Sequence, residues 1–377
     1  MARSPTHVAL LAVGDPESPH TWSGTTAGVL GGLREMGVVT QAVDLTLPGV
    51  GELALLTAGA AATRNRFDAQ SSSLTALVRG ALARRKLRER PPDGVIQIGA
   101  TVALPSGVRY VTLEDMTLRQ ACAVHPVFSR MSSRAITSSE RRREDLYRDA
   151  RMCGAASHWA GDSLIADYGV ARERVAVVGL GANHRIAQGT EPRDWRSPRF
   201  LFVGIDWQRK GGPLVLRAFS RLRDLHTDAT LDVVGGHPPL DQPGVHGHGV
   251  RSPDDANDRE LMAGLFARAT CLVMPSAVEP FGIVHIEAAS AGIPSIATSV
   301  GGPRDVIGPD GGVIVVPGDE RGLFEAMCRV SEPDTARRMG EAAQQRARLY
   351  TWSCVAERLL RALGLEAPDG RPLADFL

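Results

Sequence analysis

Residues 271–302 read CLVMPSAVEPFGIVHIEAASAGIPSIATSVGG. Cys271 to Met274 is an apolar run with the length and character of a buried strand. Pro275-Ser276 interrupts it, and Glu279-Pro280-Phe281-Gly282 follows. From Ile283 to Ala291 apolar residues recur at helical spacing, until Gly292-Ile293-Pro294 stops the helix. Ser295 to Val300 reads as the next strand. A strand, loop, helix and strand in this order are the unit from which parallel sheets are built.

Glu279 falls in the loop at the carboxyl end of the first strand, and Glu287 follows about two turns into the helix. Ligands of open parallel sheets bind beyond the carboxyl ends of the strands. The N–H groups of Phe281, Gly282 and Ile283 open the helix there, and such a terminus favours an anion such as phosphate. Two carboxylates beside a phosphate repel it, so they suit hydroxyl groups instead. A phosphate flanked by polyols describes a nucleotide sugar. Spacing alone leaves the plainer alternative open, a surface Glu and an ordinary helix Glu.

The stretch resembles the signature of the retaining glycosyltransferases of the GT-B fold, family 4, in which two Glu residues stand in a PSxxEPFGxxxxEA context. Here the matching positions are Pro275, Ser276, Glu279, Pro280, Phe281, Gly282, Glu287 and Ala288, with Gly292, Pro294, Gly301 and Gly302 also in place. The resemblance implies an α/β fold of two Rossmann-like domains, their parallel sheets facing across a central cleft. It covers roughly residues 5–365, strongly over 199–318, moderately over 155–185, and weakly in the first 110. We therefore expect an acceptor-binding domain at 1–186, a linker at 187–198, a nucleotide-sugar-binding domain at 199–350, and a helix crossing back with a tail at 351–377.

Composition sets bounds around this reading. The chain has 377 residues, 43% of them hydrophobic, and a formal net charge of +1. That is enough for two or three globular domains and carries no global field for nucleic acid. Basic residues are almost all Arg, the only lysines being Lys86 and Lys210. Cys122, Cys153, Cys271, Cys328 and Cys354 are odd in number and scattered, which reads as reduced thiols in a reducing compartment. With no apolar run approaching 18 residues and no leader-like h-region, the expectation is a soluble cytoplasmic protein.

His7 to Val13 reads as a buried first strand, Gly24 to Met36 as a helix, and Val38 to Leu45 as a strand. Gly14 and Gly24 are too far apart for a dinucleotide fingerprint. By resemblance, Gly24 within Trp22-Ser23-Gly24-Thr25 is the loop glycine beside donor and acceptor; a simple helix-cap glycine is the alternative. The helix over 71–90 ends in ALARRKLRER, which reads as a solvated face or as weak peripheral membrane contact. A strand over Arg109–Leu113 delivers Glu114-Asp115 to its end. The resembled family has His-Asp or a similar pair there, facing the donor sugar. Asp115 matches, whereas Glu114 departs, which points either to an unusual donor or acceptor such as an amino sugar or to a carboxylate facing solvent.

The second domain opens with the strand Arg199–Gly204 and the loop Ile205-Asp206-Trp207-Gln208-Arg209-Lys210-Gly211-Gly212. This resembles the family's FVGxxxxRKG element, in which Arg209 and Lys210 clamp the donor diphosphate. A structural ion pair is the alternative. By resemblance Val250 and Arg251 line the base pocket. His237, His246 and His248 alternate without carboxylates at ligand spacing, so no metal site is read there. After Gly302 the chain has Pro303-Arg304-Asp305 where the family often has Pro-Glu.

The implied activity is retaining transfer of a hexose or amino sugar from a UDP- or GDP-sugar to a hydroxyl. The acceptor is a small molecule, a natural product or a lipid-linked envelope component. In this reading Glu279, Arg209, Lys210 and Asp115 are catalytic. Gly24, Glu114, Val250, Arg251, Phe281, Gly282, Ile283 and Glu287 bind the donor, Glu287 through the ribose hydroxyls. No metal and no cofactor beyond the nucleotide-sugar co-substrate is expected. A glycosidase, a non-catalytic nucleotide-sugar binder, and an enzyme joining a non-sugar cyclic donor are the rival readings.

Overall fold

A computed structural model of the chain describes residues 6–47, 68, 70–124, 128–183 and 193–377. The expected linker, 187–198, lies outside the described residues as far as 192. The chain divides into two compact units, Met1–Gly181 with Trp352–Leu377, and Ala182–Thr351.

In the first unit the strands are β1 His7–Ala12, β2 Val39–Asp44, β3 Gly94–Ile98, β4 Tyr110–Glu114, β5 Met152–Ala155 and β6 Val175–Val177. They form one parallel sheet in the order β2-β1-β3-β4-β5-β6. Its central strands, such as HVALLA and GVIQI, are nearly continuous apolar runs, because helices cover both faces of a parallel sheet. Those helices include α1 Thr25–Glu35, α2 Ser73–Glu89, α3 Leu118–Val124, α4 Ser133–Asp149 and α5 His158–Ala166. The C-terminal helix, Trp352–Leu363, belongs to this unit as well. It buries Val355, Leu359, Leu360 and Leu363, Ser353 Oγ donates to Glu35 at 2.6 Å, and Arg358 Nη1 donates to the Val178 carbonyl at 3.0 Å.

The second unit has β7 Arg199–Gly204, α6 Gly212–Arg223, β8 Thr230–Gly235, β9 Val245–Gly249, α7 Ala256–Arg268, β10 Cys271–Met274, α8 Ile283–Ser290 and β11 Ser295–Thr298. It continues with α9 Pro303–Ile307, β12 Gly312–Val315, α10 Glu320–Ser331 and α11 Pro333–Ala347. Its parallel sheet has the order β12-β11-β10-β7-β8-β9. From β7 the chain builds outward through β8 and β9, then returns to place β10, β11 and β12 on the other side. This is the doubly wound order, and its switch point lies between β7 and β10, where a crevice opens beyond the strand ends. Phe200, Phe202, Val215, Phe219, Val273 and Met327 pack one face of the sheet. Leu201, Leu265, Phe266, Leu272 and Ile293 pack the other.

Among the described residues no helix is long and apolar enough to cross a membrane. All five cysteines are free thiols, Cys153 and Cys271 buried.

Candidate active site

Two loops leave the switch point of the second sheet, 205–211 after β7 and 275–282 after β10. Backbone and side chain stitch them together. The Ala277 N–H donates to the Arg209 carbonyl at 2.7 Å, and Arg209 Nη1 donates to the Val278 carbonyl at 3.1 Å. Arg209 is itself oriented by Asp206, through its N–H at 3.1 Å and its Nε at 3.3 Å. The result sets Lys210 against Glu279, and Nζ of the one donates to Oε2 of the other. The side chains are 14% and 9% exposed, so this is a largely desolvated pair, in which removing one partner costs far more than at a surface. Ser276 Oγ also donates to the Glu279 carboxylate, at 3.3 Å.

Glu279 is held by its backbone from the other side. It pairs with Gly301 in an isolated parallel bridge, its N–H donates to the Val300 carbonyl, and its carbonyl accepts from Gly302. A side chain at position 301 would put Cβ 1.7 Å from the Glu279 carbonyl oxygen, so only glycine fits. Gly282 caps α8 with φ +89°, a left-handed conformation that L side chains rarely adopt.

The helices differ in how they are capped. Ser72, Ser132, Ser157, Asp255 and Asp319 each accept a hydrogen bond from the first turn of the helix they precede. The helices at α1, α6 and α8 instead begin after left-handed Gly24, Gly211 and Gly282, with no side-chain cap. Thr25 and Gly212, the first amides of α1 and α6, donate to the Trp22 and Trp207 carbonyls, whereas the uncapped terminus of α8 is of the kind that holds an anion.

Beside this point lies a pocket of about 420 Å³. Val203 and Gly204 from β7, Val234 from β8, and Met262 and Phe266 from α7 supply apolar walls, while Glu287 enters from α8. Glu287 is 6% exposed. Gly204 connects the pocket to the ion pair, since an ideal Cβ there would lie 2.8 Å from Lys210 Cγ. Val250 and Arg251 border the pocket too. Asp258 fixes their turn, accepting from the Ser252 N–H at 2.8 Å and from Arg251 at 3.0 Å.

Two of the three histidines read in the sequence, His237 and His248, hold the strand that leads into this turn. His237 Nε2 accepts from the Gly249 N–H at 2.9 Å, so the proton sits on Nδ1, which donates to the Pro238 carbonyl at 2.8 Å. His248 Nε2 meets Asp232 Oδ1 at 2.6 Å, and Arg268 reaches the same oxygen at 3.3 Å. The carboxylate partner of His248 comes from the neighbouring strand, so spacing along the chain does not reveal it. Among the described residues no group of three or more His, Cys, Asp or Glu side chains is placed to hold a metal ion.

His285 carries no signal in the sequence. It occupies a position that reads as one more inward residue of α8, and it is 1% exposed. Neither ring nitrogen has a hydrogen-bond partner. Burial pushes the imidazole down to about 4; the Glu279 carboxylate opposes that shift and the Lys210 cation adds to it.

Gly24, Glu114 and Asp115 belong to the first unit. Gly24 follows Trp22 at φ 51° and Ser23 at φ 53°, the only non-glycine residues with positive φ among those described. Glu114 does not face solvent. It is the last residue of β4, is 5% exposed, and accepts from the Ala100 N–H at 2.6 Å. Burial pushes its carboxyl up to about 7, against the pull of Arg143 and the Ala100 N–H. Asp115 is half-buried, and its Oδ1 accepts from the Met116 N–H at 2.8 Å. In α2, Leu74, Leu77 and Val78 are exposed, while Lys86 turns inward and donates to the Asp44 carbonyl at 3.2 Å.

The strands and loops of the second unit's site, with Gly211 and Gly282, lie within residues 197–332, which match a protein-family model described as glycosyl transferases, group 1. The match is to the group 1 glycosyltransferases. Among curated relatives, the glycogen synthase of Mycobacterium tuberculosis is 32% identical over 231 residues, 55% of this chain and 56% of the relative. A D-inositol 3-phosphate glycosyltransferase of Corynebacterium diphtheriae is 30% identical over 228 residues, 54% of this chain and 53% of the relative. The chain thus spans about half the length of the curated relatives it matches. Solved structures share the fold across almost the whole chain. Sucrose-phosphate synthase from Thermosynechococcus elongatus superposes with a TM-score of 0.67 at 18% identity, covering 94% of this chain and 98% of its own. Anabaena HepE, in complex with UDP and glucose, does so with a TM-score of 0.59 at 17% identity, covering 95% and 99%. The α/β fold of two parallel six-stranded sheets is that of the GT-B glycosyltransferases.

Proposed function

We propose that the protein is a retaining, family 4 glycosyltransferase that moves a hexose or amino sugar from a UDP- or GDP-sugar to a hydroxyl acceptor. One observation carries the reading. At the switch point of the second sheet, a Lys–Glu pair, an uncapped glycine-led helix terminus and a Glu287-bordered pocket occur together. The pocket suits a nucleoside, with Glu287 accepting from the ribose hydroxyls. The diphosphate lies at the amides of Phe281, Gly282 and Ile283, between Arg209 and Lys210. Glu279 orients the donor sugar and stabilises positive charge as the anomeric carbon becomes oxocarbenium-like. The departing phosphate oxygen accepts the proton of the acceptor hydroxyl, so no second carboxylate is required across the bond. No metal enters this scheme.

Gly24 takes part in donor binding and Asp115 in catalysis, as the resemblance implies, and acceptor recognition falls to the first unit. The burial of Glu114 argues against direct pairing with an ammonium and makes it a support for the turn at Ala100. The names of the relatives above favour polyol and sugar acceptors over large aglycones. The exposed apolar residues and arginines of α2 are compatible with weak peripheral membrane contact.

The test is a transfer assay with mass detection, pairing UDP- and GDP-hexoses and N-acetylhexosamines with inositol phosphates, hexoses and maltooligosaccharides. Formation of an α-linked product from an α-linked donor supports retention. Nucleotide binding without transfer to any of these acceptors favours the non-catalytic binder. Release of sugar from a nucleotide-free glycoside favours a glycosidase.

A further inference from the structure

The ring of His285 presents a physical problem that the donor-site reading does not use. It is 1% exposed with both nitrogens unpartnered. A buried polar group left without a partner is destabilising, so a core position has no use for it where leucine would serve. Its surroundings supply a reason. The point where a Cβ on Gly282 would sit lies 3.5 Å from His285 Nε2 and 3.1 Å from Glu279 Cγ, so the ring and the carboxylate stem border the same space. In this structure the Glu279 carboxylate is taken by Lys210 and Ser276. An anionic diphosphate at the α8 terminus competes for Lys210. That would leave a carboxylate only 7% exposed with a single hydroxyl donor, a costly state unless another donor takes over.

We propose that His285 is that donor: its neutral ring N–H receives the Glu279 carboxylate when Lys210 turns to the diphosphate of the donor. His285 is thus a positioning residue. It transfers no proton, and it lets Glu279 exchange its cation partner without becoming an unpaired buried charge. The inference rests on the donor-site reading given above.

The test uses the full chain with isotope-labelled histidine, the His285 signal being assigned by its loss in His285→Leu. In Lys210→Met the carboxylate loses its cation, and the His285 titration midpoint is expected to rise from about 4 by roughly two units or more, to the range of free histidine or above. In the double variant Lys210→Met, Glu279→Gln that rise should disappear. A midpoint that stays put in Lys210→Met overturns the proposal. UDP and GDP added to the wild type provide a second arm, which does not depend on a variant that folds poorly. Nucleotide binding seen by calorimetry together with a changed His285 nitrogen shift supports the exchange. Binding with an unchanged shift overturns it and leaves the donor site standing. If neither nucleotide binds, the donor-site reading fails and with it the exchange, while the Lys210→Met arm still decides whether His285 pairs with Glu279.

Discussion

In the proposed reading Glu279 and Glu287 divide the work of the site by position. The first is bound to Lys210 where the two loops meet, and the second borders the pocket. Glu287→Ala is expected to weaken binding of the nucleoside diphosphate about tenfold to a hundredfold, as loss of charge-assisted hydrogen bonds does. Glu279→Ala should lower kcat about a hundredfold and change nucleotide affinity much less. Calorimetry and steady-state rates on the two variants check this, and equal losses of affinity would refute the division. Pro, Gly and a helical period placed the two carboxylates in the loop after β10 and on α8, where the structure has them, but it was the resemblance that singled them out as site residues. His285 was not legible, since a histidine in VHIEA has the same periodicity whether or not its ring finds a partner. For Glu114 the structure removes the solvent-facing alternative, which the sequence leaves open because the turn that donates to it, at Ala100, has no mark in residue types.

Among the elements, the glycine-led helices and the Glu279–Gly301 bridge do the positioning. Gly301→Ala places Cβ 1.7 Å from a carbonyl oxygen, so the two loops must part. The expected outcome is a loss of about 2–3 kcal/mol of unfolding free energy, as for severe overpacking, together with loss of nucleotide binding. Denaturant titration and calorimetry measure the two effects. At the entry to α1 the strain lies in the backbone. Ser23 has φ 53°, a region costing an L residue roughly 1–2 kcal/mol. Ser23→Gly should therefore raise stability by about 0.5–1 kcal/mol, after the extra entropy of glycine in the unfolded chain; a fall in stability would contradict this. Strands and helices were legible here to within a few residues, because buried parallel strands are continuous apolar runs and their ends carry Gly and Pro. The cap geometry was not, because neither φ nor the absence of a side-chain cap can be read from residue types. Nor was the network of His237, His248, Asp232 and Asp258, whose partners come together only across strands and turns.

For the whole molecule, two buried groups in different units oppose each other. Between pH 4.5 and about 7 the folded chain keeps a proton on Glu114 that the unfolded chain has lost, so this contribution to stability falls as pH rises. Between about pH 4 and 6.5 the unfolded chain binds a proton at His285 that the folded chain does not, so this contribution rises with pH. Each effect is on the order of 3 kcal/mol. From pH 4.5 to 6.5, relative to wild type, Glu114→Gln should make calorimetric stability rise more steeply with pH, and His285→Leu should make it rise less. The parallel α/β units followed from alternating strands and helices and the two-domain plan from the resemblance, whereas the strand order that locates the switch point followed from neither, because pairing partners leave no mark in a single sequence.

Whether the second unit is built around a nucleotide is read from calorimetric titration of the full chain with UDP and GDP, beside Glu287→Ala. We expect one of the two nucleotides to bind, with affinity reduced at least tenfold in Glu287→Ala. No binding by either nucleotide, or binding indifferent to Glu287, would contradict the account.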